Sequence, residues 1–188
     1  MKKSLKIILA VAALTVLVLI WGVSSYNGLV NAEMTVEEKF ATIDTQLTRR
    51  ADLIPNLVNT VKGYAAHEEE VYTAIADARA KLSGSTDIDD KIEAGNQLDS
   101  AISRLLVVVE QYPELKANSN FIGLMDQLEG TENRLATARM DYNEAVKNYN
   151  TKIRRFPGSI VASMFGFEKQ VMYEAPAGDK DNPVVDFG

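Results

Sequence analysis

From Ile7 to Val23 the chain runs IILAVAALTVLVLIWGV without one charged side chain. At ~1.5 Å per residue that is about 26 Å, and Leu5 to Ser25 reaches roughly 32 Å, the thickness of a bilayer's hydrocarbon core. Trp21 and Tyr26 fall at its far end, where amphipathic rings favour the membrane interface. Lys2, Lys3 and Lys6 precede the span, and Lys39 is the first basic residue after it. That asymmetry predicts a cytoplasmic N-terminus and an extracytoplasmic body. A cleaved signal peptide is the rival reading, but its apolar region would be unusually long. Its best cleavage site, Val30-Asn31-Ala32, also lies well beyond Val23. The expectation is an uncleaved anchor over residues 1–25, crossing the bilayer at 7–23.

The 188 residues suffice for one further domain. With Cys 0, a disulfide scaffold, thiol catalysis and sulfur-ligated zinc are excluded. One histidine argues against His-rich metal centres and most triads. The net charge is −6; setting the first three lysines aside leaves 17 of the 20 basic residues against 26 acidic ones, or −9. A body so acidic is a poor partner for nucleic acid.

Beyond the anchor the periodicity is helical. Val36, Phe40, Ile43, Leu47, Ile54, Leu57, Val61, Tyr64, Val71, Ile75, Ala78 and Leu82 hold one register across Pro55. This predicts a single kinked helix from Val36 to Leu82, with breaks in the apolar stripe at Arg50 and Glu68. A loop at residues 83–86 follows, with Thr86 or Asp87 as the next helix cap. A second helix is expected from Ile88 to Tyr112, before Pro113. A third, Phe121 to Phe156, carries Phe121, Leu128, Leu135, Tyr142, Tyr149 and Phe156 at seven-residue spacing. Residues 159–167 form a short apolar piece, read as a bundle cap or an interfacial membrane contact, and residues 168–188 read as an irregular tail. The class is therefore all-α: an N-terminal transmembrane helix, then an antiparallel bundle of long, coiled-coil-like helices over residues 26–167.

Few residues carry chemistry. His67 has Tyr64, not Glu, three residues before it, so it lacks the bundle-metal pattern. Glu68-Glu69-Glu70 reads as a solvated face. Asp87-Ile88-Asp89-Asp90 fails as a calcium loop, because Leu98 stands where the bidentate Glu belongs. Arg50 is more informative, since it occupies an apolar-register position and must find carboxylates or carbonyls if buried. Arg49, Arg50 and Asp52, with Glu129, Glu132 and Arg134 of the third helix, form a candidate polar layer. Its expected contact is an ion pair from Arg49 or Arg50 to Glu129 or Glu132. The Tyr142-Asn143 and Tyr149-Asn150 pairs sit at core spacing and read as packing. A first helix of about 70 Å would outrun partners of about 37 and 54 Å. Val36, Phe40, Ile43 and Leu47 would then lack intrachain cover, which predicts self-association there. No metal, cofactor or catalytic set is expected.

Several motifs together resemble the LemA family of bacterial membrane proteins. They are Arg49-Arg50-Ala51-Asp52-Leu53-Ile54-Pro55-Asn56-Leu57-Val58, Val61-Lys62-Gly63-Tyr64-Ala65-Ala66-His67-Glu68, Tyr112-Pro113-Glu114-Leu115-Lys116-Ala117-Asn118, Leu128-Glu129-Gly130-Thr131-Glu132-Asn133-Arg134, Asp141-Tyr142-Asn143-Glu144-Ala145-Val146 and Arg154-Arg155-Phe156-Pro157, with Phe165-Gly166-Phe167. One departure is Phe40, where the family would carry Trp. The resemblance implies a single-pass protein of the bacterial cytoplasmic membrane with an extracytoplasmic helical bundle and no established enzymatic activity. The functional expectation is a non-enzymatic envelope interaction or scaffold protein. Its partners would be the bilayer through residues 7–23, a second copy of the chain and other envelope proteins. The alternative is an envelope ligand sensor, or an accessory protein or hydrolase, using Arg49, Glu129 and Glu132.

Overall fold

The computed structural model describes residues 2–174, with side chains from residue 4 onward. Among the described residues there are six helices and no strand. They are α1 (Lys2–Lys62), α2 (Glu69–Gly84), α3 (Ile88–Val109), α4 (Pro113–Lys116), α5 (Ser119–Arg154) and α6 (Gly158–Phe165). The fold is the expected all-α one. The apolar N-terminal part of α1 is long enough to cross a membrane, and its side chains are exposed along the span, as lipid contact requires. The irregular stretch expected over residues 168–188 is described only to Glu174, without helix; its remainder lies outside the described residues.

The chain divides into two compact units. One contains the residues up to Lys39 together with Tyr142–Met172, and the other contains Phe40–Asp141 with Tyr173 and Glu174.

In the first unit, Leu29, Ala32 and Val36 of α1 are buried, as are Tyr142, Ala145, Val146, Tyr149 and Ile153 of α5. Steps of three and four on both helices are those of coiled-coil packing. Helix α6 buries Val161 and Ala162 and stops at Gly166, whose φ of 74° is left-handed. The non-helical segment after α6 is fastened by side chains. Asn150 Nδ2 donates to the Gln170 carbonyl at 2.8 Å, Gln170 N–H donates to Asn150 Oδ1 at 3.0 Å, and the Tyr142 hydroxyl donates to the Val171 carbonyl at 2.8 Å. The Tyr-Asn pairs expected only to pack therefore also hold a backbone. Phe156, assigned by spacing to the α5 stripe, lies past the helix end and is exposed.

The second unit corrects the long first helix. Helix α1 ends at Lys62, and Tyr64 and Ala65 N–H groups both bond the Val61 carbonyl at 2.9 Å to form a turn. The Tyr72 hydroxyl donates to the Ala65 carbonyl at 2.6 Å, and Asn118 Nδ2 donates to the Tyr64 hydroxyl at 3.0 Å. Asn118 also caps α5, its Oδ1 accepting from the N–H groups of Asn120 (2.9 Å) and Phe121 (3.2 Å). Helix α3 is capped by Asp87, which accepts from Asp89 N–H at 2.8 Å.

The same break corrects the self-association surface. Val36 is 1% exposed, Phe40 7%, and Ile43 and Leu47 0%; each lies in the core of its own unit. Ending α1 at Lys62 shortens its run beyond Val36 from about 70 Å to about 40 Å. The shortage of partners therefore disappears. The start of α3 lies beside this stretch: Lys91 pairs with Asp44 at 2.7 Å, and the Leu47 methyls crowd the Gly95 Cα, where an added Cβ would stand 3.1 Å from Cδ2.

Candidate functional site

The second unit encloses one cluster of charge. Arg50 of α1 lies in the three-and-four stripe between Leu47 and Ile54, so the helix aims it inward. Its Nη1 meets Asp99 Oδ1 of α3 at 3.2 Å and also contacts Glu132 Oε2 of α5. Arg139, seven residues after Glu132 and so on the same face of α5, completes a ring. It reaches Asp99 Oδ2 at 2.8 Å and Glu132 Oε1 at 3.5 Å. Arg139 Nη2 also donates to the Tyr173 hydroxyl at 3.0 Å, and its guanidinium lies 4.5 Å from the centre of that ring. Gly95 leaves room for this arrangement, since a Cβ there would stand 3.1 Å from the Tyr173 oxygen.

The ring is neutral, with two guanidinium groups against two carboxylates. The side chains of Arg50, Asp99 and Arg139 are 8%, 15% and 17% exposed, while Glu132 is 42% exposed. Burial pushes the Arg50 pKa below its ordinary value, and Asp99 opposes that shift. The Tyr173 pKa is raised, chiefly by burial. Such a ring joins three helices in one register, because each charge is satisfied only when all are in place.

Of the residues expected in a polar layer, the structure brings Arg50 and Glu132 together. Arg49, Asp52, Glu129 and Arg134 face solvent instead. An Arg49/Glu129/Glu132 cluster is thus not assembled: Arg49 follows Thr48 on the outward face of α1, and Glu129 is displaced from the stripe occupied by Leu128 and Thr131. Asp99, Arg139 and Tyr173 are the members that sequence reasoning missed. The seven-residue interval from Glu132 to Arg139 was the available signal for one of them. His67 is exposed in the turn between α1 and α2. Among the described residues no group of three His, Asp or Glu side chains is placed to hold a metal ion.

A second polar recess lies between α1, α2 and α3, lined by Asp44, Asp52, Arg79, Ser83 and Lys91, with a volume of about 130 Å3. The Lys91–Asp44 pair spans it, and Arg79 Nε donates to the Ala51 carbonyl at 3.2 Å.

The LemA family model matches residues 39–187. The magnetosome proteins MamQ 1 and MamQ 2 of Paramagnetospirillum magneticum are each 28% identical over 187 residues, covering 85% of this chain and 68% of theirs. Protein LemA of Metamycoplasma hominis is 25% identical over 151 residues, 79% of this chain and 68% of its own. None of these names denotes a catalytic activity. Helical architecture, an apolar helix able to cross a membrane and a family match over most of the sequence converge: the chain belongs to the LemA family.

Proposed function

We propose that this protein is a non-enzymatic scaffold of the bacterial cell envelope, held in the cytoplasmic membrane by residues 7–23 with its helical body outside. The observation that carries this reading is the closed ring of Arg50, Asp99, Glu132 and Arg139. Its charges are paired with one another and three of its four side chains are largely buried. Acid–base chemistry requires carboxylates that line a cleft and reach a substrate. Asp99 and Glu132 are instead engaged as structural counter-ions, which favours a body rigid enough to present its exposed helix faces to other envelope proteins or to a second copy.

The chain has no native cysteine, so single cysteines report cleanly. A cysteine at Glu129 should react with a membrane-impermeant maleimide in intact cells (after outer-membrane permeabilisation where there is one), and a cysteine at Ser4 should not. Photocrosslinkers placed on exposed positions of α2, α3 and α5 should give discrete adducts at some faces and none at others. Reaction at Ser4 alone would overturn the orientation. Absence of adducts from every face, with migration as a monomer, would overturn the scaffold.

A further inference from the structure

The contacts of α6 fix its depth relative to the anchor. Counting about 20 residues of helix for a hydrocarbon core of ~30 Å from Ile7, just after Lys6, ends the core at Tyr26. The Tyr26 ring packs on Phe165 at the end of α6, with centroids 4.7 Å apart, and on Phe167 at 5.8 Å, edge to face. Helix α6 is thereby pinned beside the point where α1 leaves the hydrocarbon. Its inward face, Val161 and Ala162, is buried. Its outward face is not: Ile160 is 49% exposed, Met164 73%, Phe165 60%, and Phe156, just before the helix, 77%. An apolar surface of this size is unusual in water and ordinary in the interfacial layer of a bilayer.

Charge around this surface has the complementary sign. Lys147, Arg154, Arg155 and Lys169, with Asn150 and Met172, line an open groove of about 430 Å3. None of these four cations forms an ion pair with a described carboxylate. Between Lys147 and Lys169 the sequence holds five basic residues (Lys152 is the fifth) and one acid, Glu168, a local +4 within a chain of net −6. Basic side chains above an apolar wedge are what an anionic phospholipid surface recognises: phosphates meet the cations while acyl chains receive the wedge.

We infer that α6 and the adjoining basic groove are a second membrane-binding site, in which Phe156, Ile160, Met164 and Phe165 enter the leaflet on the body's side and Lys147, Arg154, Arg155 and Lys169 take its anionic phospholipid headgroups. The site anchors the base of the body in addition to the spanning helix. A bilayer is favoured over a protein partner because α1 already places this surface at the membrane.

Depth measurement on the full chain tests this. Ile160→Cys and Met164→Cys change exposed positions only, and each can carry a fluorophore in nanodiscs holding one protein copy. With about a third of the lipid as phosphatidylglycerol, lipids brominated or spin-labelled near the headgroup should quench both labels, and a label on Glu37→Cys, exposed on α1 about 16 Å beyond Tyr26, should be unaffected. Replacing Lys147, Arg154, Arg155 and Lys169 by Gln should lower that quenching several-fold. Each cation lost weakens attraction to an anionic surface about five-fold. Water-accessible, unquenched labels at Ile160 and Met164 would overturn the proposal. So would labels shielded from water but unquenched by lipid, which would indicate that protein covers the face. Quenching unchanged by phosphatidylglycerol and by the four substitutions would overturn the headgroup site.

Discussion

Arg79 Nε of α2 donates to the carbonyl of Ala51 in α1, at 3.2 Å. Ala51 lies four residues before Pro55, so its carbonyl is the one that proline, lacking an N–H, leaves without its helical donor. A side chain from the next helix supplies the missing bond, which is how α1 carries Pro55 in its interior without ending there. The pairing also ties α2 to α1 after the reversal at Gly63.

A double-mutant cycle measures this directly. Arg79→Ala should cost about 1 kcal/mol in the full chain in detergent, since the bond is charge-assisted but solvent-accessible. In a Pro55→Ala background the restored residue-55 N–H bonds Ala51, and Arg79→Ala should become nearly neutral. Equal costs in both backgrounds, followed by urea unfolding, would show that Arg79 acts elsewhere.

The ring of charge gives a sharper contrast between neighbours. Arg50→Ala leaves two carboxylates and Arg139 unbalanced in a buried site, and should cost about 3–5 kcal/mol. Glu132→Gln, at the open side of the ring, should cost about 1–2 kcal/mol. Arg49→Ala, one residue away and exposed, should fall within about 0.5 kcal/mol of the parent. Thermal unfolding followed by circular dichroism ranks the three, and comparable losses at Arg49 and Arg50 would contradict the geometry.

The parts of this structure that sequence made legible are those where periodicity reports burial. The stripe from Val36 to Val61 and the heptads from Phe121 to Tyr149 are buried as their spacing requires, and Pro113 and Pro157 sit at the boundaries they mark. The reversal after Lys62 was hidden because Tyr64, Val71 and Ile75 happen to continue the register, and no proline punctuates the turn. The turn is made instead by the Val61 carbonyl, which accepts from the Tyr64 and Ala65 N–H groups, and by the Tyr72 hydroxyl bond to the Ala65 carbonyl, contacts that leave no mark on the apolar register. That one concealed break also produced the error about Val36, Phe40, Ile43 and Leu47. Arg50 was legible as a charge in an apolar position. Asp99 was not, because it flanks Leu98 on α3 rather than interrupting the stripe, and Tyr173 was not, because it lies in a non-helical segment with no period to read.

Tyr149 supplies a pH prediction. Burial, with Glu33 nearby (hydroxyl to Oε1, 3.4 Å), pushes its pKa up to about 12. The folded state therefore holds the phenolic proton more tightly than the unfolded chain, whose tyrosines titrate near ~10. Stability from this group is complete below about pH 10 and is lost as pH rises toward 12, because over that window the unfolded state releases its proton first. Tyr149→Phe should flatten the decline of stability with pH in that window, and an unchanged slope would assign the alkaline loss to other tyrosines.

The clamp on the segment after α6 offers the most local test. Asn150 is buried and uses both ends of its amide, donating through Nδ2 to the Gln170 carbonyl and accepting through Oδ1 from the Gln170 N–H. This satisfies both backbone groups of a residue that belongs to no helix or strand, so the non-helical segment can lie against α5. Asn150→Ala removes both bonds and should cost about 1–3 kcal/mol, with amide exchange at Gln170 accelerated far more than at Tyr72 in the other unit. Asn150→Asp is the finer probe, since a carboxylate still accepts from the Gln170 N–H but opposes an oxygen to its carbonyl. It should destabilise at neutral pH and recover part of the loss as acid protonates the carboxyl and restores a donor. Exchange at Gln170 that is equally slow in all three proteins would mean that the Tyr142 bond to Val171 holds the segment alone.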